Sequence, residues 1–153
     1  MVNKMAMQKV TMGTVLAIAV VGMVVTALGA LVATSTISNT GNLKAIGVGV
    51  YWDSSCTSPV SSIDWGALEP DVTKNFTIYV RNEGNVQVKL SMTTSNWKPP
   101  SALSYIELTW NRVNHVLTAG SNVSAVLTLS VSSSISGITS FNFDIIIAGT
   151  EYT

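Results

Sequence analysis

Hydrophobic and polar positions fall into two regimes along this chain. Val10 to Ala33 is a run of 24 residues without a charge, whereas from Leu43 onward apolar and polar residues alternate in short stretches. Alternation with a period of two is the side-chain repeat of a half-buried β-strand. It is clearest around a turn. Phe76, Ile78 and Val80 alternate with Asn75, Thr77, Tyr79 and Arg81, and Val86, Val88, Leu90 and Met92 alternate with Gln87, Lys89 and Ser91. Asn82-Glu83-Gly84-Asn85 lies between the two arms. Two alternating arms about a Gly/Asn turn predict a β-hairpin over residues 72–92. A hairpin with one apolar face needs a second layer, and residues 43–153 are expected to supply it.

The same pattern places the other strands. Leu43–Trp52 is the first, with Ile46, Val48, Val50 and Trp52 on one face and Ala45, Gly47 and Gly49 on the other. Ser62–Gly66 is a short one carrying Ile63 and Trp65 on one side. Thr93–Ser104 reads as a loop, followed by Ile106, Leu108 and Trp110 in a strand, with His115–Thr118 pairing back. Val123, Ala125, Leu127, Leu129 and Val131 mark a long strand, and Phe141, Phe143, Ile145 and Ile147 mark the last. Seven to eight short strands at this spacing predict an all-β sandwich of Ig-like or jelly-roll-like type, preceded by one N-terminal hydrophobic helix. The predicted core includes Phe76, Ile78, Leu90, Leu127, Leu129, Phe141, Phe143 and Ile145, with the four tryptophans plugging the core or its ends.

The organisation follows as residues 1–33, a signal or anchor segment; 34–42, a polar linker (TSTISNTGN); and 43–153, the sandwich. The apolar run exceeds the ~20 residues needed to cross a bilayer, which favours a membrane anchor. Small residues at 27–30 keep signal-peptide cleavage open as the alternative. Lys4 and Lys9 precede the run, so the positive-inside bias sends the domain outside the cytoplasm. The expected location is the cell membrane, single pass, or secretion after cleavage.

Composition narrows the functional classes. Charged residues are 10% of the chain, against roughly 25% in ordinary soluble proteins. With Lys4 and Lys9 set aside, six basic and eight acidic residues remain. No basic patch is available for phosphates, which argues against a nucleic-acid partner. Cys56 is the single cysteine, so no intrachain disulfide can form, and Ig domains built on a core disulfide are excluded.

No catalytic, cofactor-binding or metal-binding set emerges. His115 is the single histidine, too few for a copper site of two His and a Cys. Asp53, Asp64, Glu69 and Asp71 cluster around two loops. Their spacing matches no Ca²⁺ loop, and they are read as solvated acids. Asn75-Phe76-Thr77 and Asn122-Val123-Ser124 fit the N-glycosylation pattern; unmodified surface asparagines are the alternative. Cys56 is either a half-buried thiol or, in an oxidising exterior, an intermolecular one.

Several segments carry a resemblance. Tyr51-Trp52-Asp53-Ser54-Ser55-Cys56, Ile63-Asp64-Trp65-Gly66-Ala67-Leu68-Glu69-Pro70, Val80-Arg81-Asn82-Glu83-Gly84-Asn85, Ser95-Asn96-Trp97 and Phe141-Asn142-Phe143-Asp144 resemble a group of small archaeal extracytoplasmic β-sandwich proteins. In layout the chain is similar to TasA-like matrix filament subunits. Those have an N-terminal hydrophobic segment and a jelly-roll-like sandwich that polymerises by donating an N-terminal strand. Their Leu-x-Pro-Gly turn is echoed by Leu68-Glu69-Pro70-Asp71, with Asp in place of Gly. The resemblance implies location, fold and self-assembly, and no catalytic residue.

The expected function is therefore a non-enzymatic cell-surface structural or interaction protein without a cofactor. Its partners would be the membrane, through residues 10–33, and other envelope proteins or copies of itself. The alternative is an exported small binding module for a solute, sugar or metal.

Overall fold

A computed structural model describes residues 37–153. The apolar run, its predicted helix and the first residues of the predicted linker lie outside the described residues. Among the described residues no helix is long and apolar enough to cross a membrane.

The described residues form nine strands: β1 (Ser38–Ile46), β2 (Gly49–Tyr51), β3 (Ser62–Asp64), β4 (Thr73–Arg81), β5 (Val88–Lys98), β6 (Ile106–Trp110), β7 (Val116–Leu117), β8 (Asn122–Val131) and β9 (Ser140–Glu151). A 3₁₀ turn, Pro100–Ser104, precedes β6. The strands make a two-sheet sandwich, one sheet in the order β3-β1-β9-β5-β7 and the other β2-β4-β8-β6. All pairs are antiparallel except β1 with β9, the first strand and the last, which run parallel.

Strand phase agrees with the sequence pattern. Ile78, Val80, Leu90, Leu127, Leu129, Phe141, Phe143, Ile145 and Ile147 are all buried between the sheets. Phe76 is half-buried, packed edge-on against Trp65 at 5.0 Å between ring centroids. Trp97 stacks on Phe143 at 4.2 Å. Trp65, Trp97 and Trp110 are buried, whereas Trp52 is exposed.

Strand pairing does not agree with it. The arms of the predicted hairpin, β4 and β5, belong to opposite sheets, so the turn between them crosses the sandwich. Asn82 is the reason. It continues the inward phase of Ile78 and Val80 and is fully buried. Its side-chain amide donates to the carbonyls of Val86 (2.7 Å) and Leu117 (3.1 Å), and its Oδ1 accepts from the amide of Gly84. Its main chain bonds Ser121 and Gly120. A buried polar group must be satisfied, and these five bonds fix the crossing.

The predicted first strand, Leu43–Trp52, is two strands in two sheets. The chain breaks at Gly47, whose φ of +70° is open to glycine at little steric cost, and Val48 and Val50 turn into the core. Residues 38–42 of the predicted linker are part of β1. The predicted loop from Thr93 is strand through Lys98, with a register slip between Ser95 and Lys98. β7 pairs with β5 and not with β6.

Candidate functional site

Two regions gather the chemistry that the sequence singled out. The first is the loop after β2. Asp53 organises it: the carboxylate accepts from the amide of Ser58 at 2.7 Å, and from the amide and hydroxyl of Thr57. Burial works to raise the Asp53 pKa, but the donors from Ser58 and Thr57 outweigh it and hold the group below the usual carboxylate range. Cys56 sits in this loop, half-buried, at a φ of +55°. Asn122 of β8 donates to the carbonyl of Ser54 at 3.1 Å, so the structure brings one sequon asparagine against the cysteine loop. Asn75 is elsewhere, exposed in the middle of β4 and opposite Thr128.

Nearby, the Tyr51 hydroxyl donates a short hydrogen bond to the Glu83 carboxylate. That bond, then burial and the negative charge of Glu83, raise the Tyr51 pKa above that of a free phenol. The remaining acids are separate. Asp64 accepts from the amide of Gly66, and among the described residues no three His, Cys, Asp or Glu side chains come together as a metal-binding group. His115 is half-buried, and its main chain ties the turn before β7 to Leu90.

The second region is the seam between β1 and its neighbours. β1 pairs with β9 over nine residues, from Ser38 opposite Ser140 to Ile46 opposite Ala148, and with β3 over three. The inward face of β9 is Phe141, Phe143, Ile145 and Ile147. The inward face of β1 carries Asn39 and Gly41. Asn39 is 4% exposed, yet neither its Nδ2 nor its Oδ1 has a partner among the described residues, and the same holds for the Trp65 indole nitrogen. At Gly41 a Cβ would stand 3.0 Å from Ile145 Cδ1 and 3.3 Å from Trp65 Nε1, so any side chain there is crowded. Beside Phe141 and Phe143, β1 thus contributes an amide without a partner among the described residues and a missing side chain, and its first apolar group on that face is Leu43. Sequence reasoning passed over Asn39, since it lies in a stretch polar enough to read as linker.

Two shallow depressions border β6. One, about 280 Å³, is lined by Leu103, Tyr105, Ile106 and Glu107; the other, about 220 Å³, by Leu90, Met92, Leu108, Trp110 and Val113. Both fall below the usual range for small-molecule sites.

No family model matches this chain, and no curated protein matches it.

Proposed function

We propose that this chain is a non-enzymatic cell-surface structural protein. Its sandwich, of Ig-like or jelly-roll-like type, is held outside the cytoplasm by residues 10–33 or released by their cleavage, and copies assemble by exchanging β1. The observation that carries the assembly is the β1 seam. Burying an unsatisfied polar group costs about 1–3 kcal/mol, and a glycine in a strand interior weakens it further. β1 is therefore held to its own core less tightly than its nine-residue pairing with β9 would suggest. When it leaves, β9 offers a nine-residue edge to the same strand of another copy, in the same register. Exchange of an identical element adds no new contact type and, between copies that do not close on each other, yields an open head-to-tail chain.

In this reading the exchanging strand is Ser38–Ile46, the first of the described strands. The turn that echoes the TasA-like motif supports the likeness in its backbone: Asp71 has a φ of +64°, the left-handed region that glycine occupies most easily. Asn75 and Asn122 are both exposed, as glycan acceptors need to be, and Cys56 remains a candidate intermolecular thiol.

Mixing tests the assembly. A chain of residues 34–153 is refolded at high concentration beside one of residues 47–153, which lacks β1. Assembly predicts oligomers of the longer chain on size exclusion and its capture by the shorter one. A monomer that captures nothing dismisses strand exchange. Protease added to intact cells tests location: the reading expects degradation of the domain, and protection until lysis contradicts it.

A further inference from the structure

β6 closes one side of the four-stranded sheet, and no strand pairs with its outer edge among the described residues. The strands at the other three edges are shorter, β2 and β3 with three residues each and β7 with two, and they cover only part of the strands beside them. Short edges, lysines, prolines and bulges are how sheets avoid pairing with one another. β6 is the longest of the four edge strands and carries no lysine, proline or bulge. It is five residues long, Ile106-Glu107-Leu108-Thr109-Trp110, and its register with β8 is continuous.

The two most exposed large apolar side chains among the described residues flank this edge. Leu103 is 59% exposed and Val113 67%. Each lies at the lip of one of the depressions beside β6. Leu108 is the midpoint between them in sequence, as it is the midpoint of the strand.

We propose that this edge is an isologous interface at which two copies of the chain pair β6 with β6, antiparallel about Leu108, so that their four-stranded sheets join into one. In that register Leu108 lies opposite its own symmetry mate, and Ile106 lies opposite Trp110 of the partner subunit. Glu107, the single charge on the strand, lies opposite Thr109 of the partner subunit, so a carboxylate meets a hydroxyl and never a like charge. Leu103 of each copy falls at the same end as Val113 of the other. A strand self-complementary about its own centre, in charge and in flanking apolar groups, is what a two-fold interface requires, and this points to a second copy as the occupant. The interface is an edge and not a face, so the dimer belongs with small, weak interfaces. It uses the sheet that does not contain β1, and it stands independently of strand exchange.

The test is charge exchange on the full chain in detergent, followed by sedimentation at low salt across a concentration series. The wild-type chain is expected to show a reversible monomer–dimer equilibrium. T109E places two like-charge pairs across the two-fold axis, and the dissociation constant is expected to rise roughly 2- to 30-fold. E107K together with T109E places opposite charges there and is expected to restore or tighten the dimer. Both positions are exposed, so the melting temperatures of the isolated monomers should agree across the three chains. A wild-type chain that stays monomeric overturns the proposal. So does a dissociation constant indifferent to T109E, which is the result expected if association runs through residues 10–33 or through β1. A double variant no better than T109E alone also overturns it.

Discussion

Replacing Asn39 with leucine should make the monomer more stable, which reverses the usual direction for a core substitution. Asn39 is 4% exposed near the start of β1, and both polar atoms of its side chain lack a partner among the described residues. Leucine branches at the same atom and has no polar atoms to desolvate. Removing an unsatisfied buried amide recovers about 1–3 kcal/mol, and the added apolar burial acts in the same direction. For a domain of this size that corresponds to a rise of about 3–15 °C in melting temperature. Circular dichroism on heating reads it, and urea unfolding with an unchanged slope confirms that the native state has changed and not the unfolded one. The same substitution should slow assembly, because it commits β1 to its own sheet. A loss of about 1 kcal/mol or more would refute the reasoning. It would mean that the amide is bonded in the folded protein, through a buried water for example, and that the seam is not weak.

Other perturbations separate the parts of the account. Leu127→Ala removes a fully buried side chain from β8 and should cost about 2–5 kcal/mol in urea unfolding; a change under about 0.5 kcal/mol would put the strand phase in error. Asn82→Ala deletes three side-chain bonds and leaves the Val86 and Leu117 carbonyls short of a donor, for a loss of about 2–4 kcal/mol. A near-neutral result would mean that the crossing between the sheets is held by something else. Asp53 has a lowered folded pKa, so its contribution is present above its unfolded value and disappears as pH falls through the folded one. The drop in melting temperature from about pH 7 to about pH 3 should therefore be smaller in Asp53→Asn than in the wild type; an equal drop would show that the Asp53 carboxylate does not hold its loop.

Strand phase was legible because burial acts residue by residue. Val123 to Val131 alternates in the sequence and in the sandwich alike. Strand partners were not legible, because alternation is the same whether the next strand lies beside the first or across the core. The chain did hold one clue. Asn82 falls on the inward phase of Phe76, Ile78 and Val80, and a polar residue in a core position after a strand is better suited to a buried corner than to an exposed hairpin turn. The start of β1 was hidden for a related reason: its inward positions there are Asn39 and Gly41 rather than apolar residues, so SNTGN reads as linker. The end of β5 was hidden by the slip near Ser95, which puts Trp97 in the core out of phase and leaves Thr94 to accept a bond from its indole. The parallel pairing of β1 with β9 joins the two ends of the described chain, and no local pattern encodes it. At the candidate sites, the sequence picked out Asn122 and Cys56 separately, and only the fold sets Asn122 against the loop that carries Cys56.

A disulfide trap across the seam tests strand exchange most directly. Thr40 and Asn142 are exposed and opposite each other in the β1–β9 register. In a background with Cys56→Ser, one chain carries Thr40→Cys and a second carries Asn142→Cys. The two are mixed, refolded together and oxidised. Exchange predicts a covalent dimer containing one copy of each chain, formed at the expense of the monomer. A chain carrying both cysteines that closes only on itself, beside a mixture that yields no mixed dimer, would contradict the account.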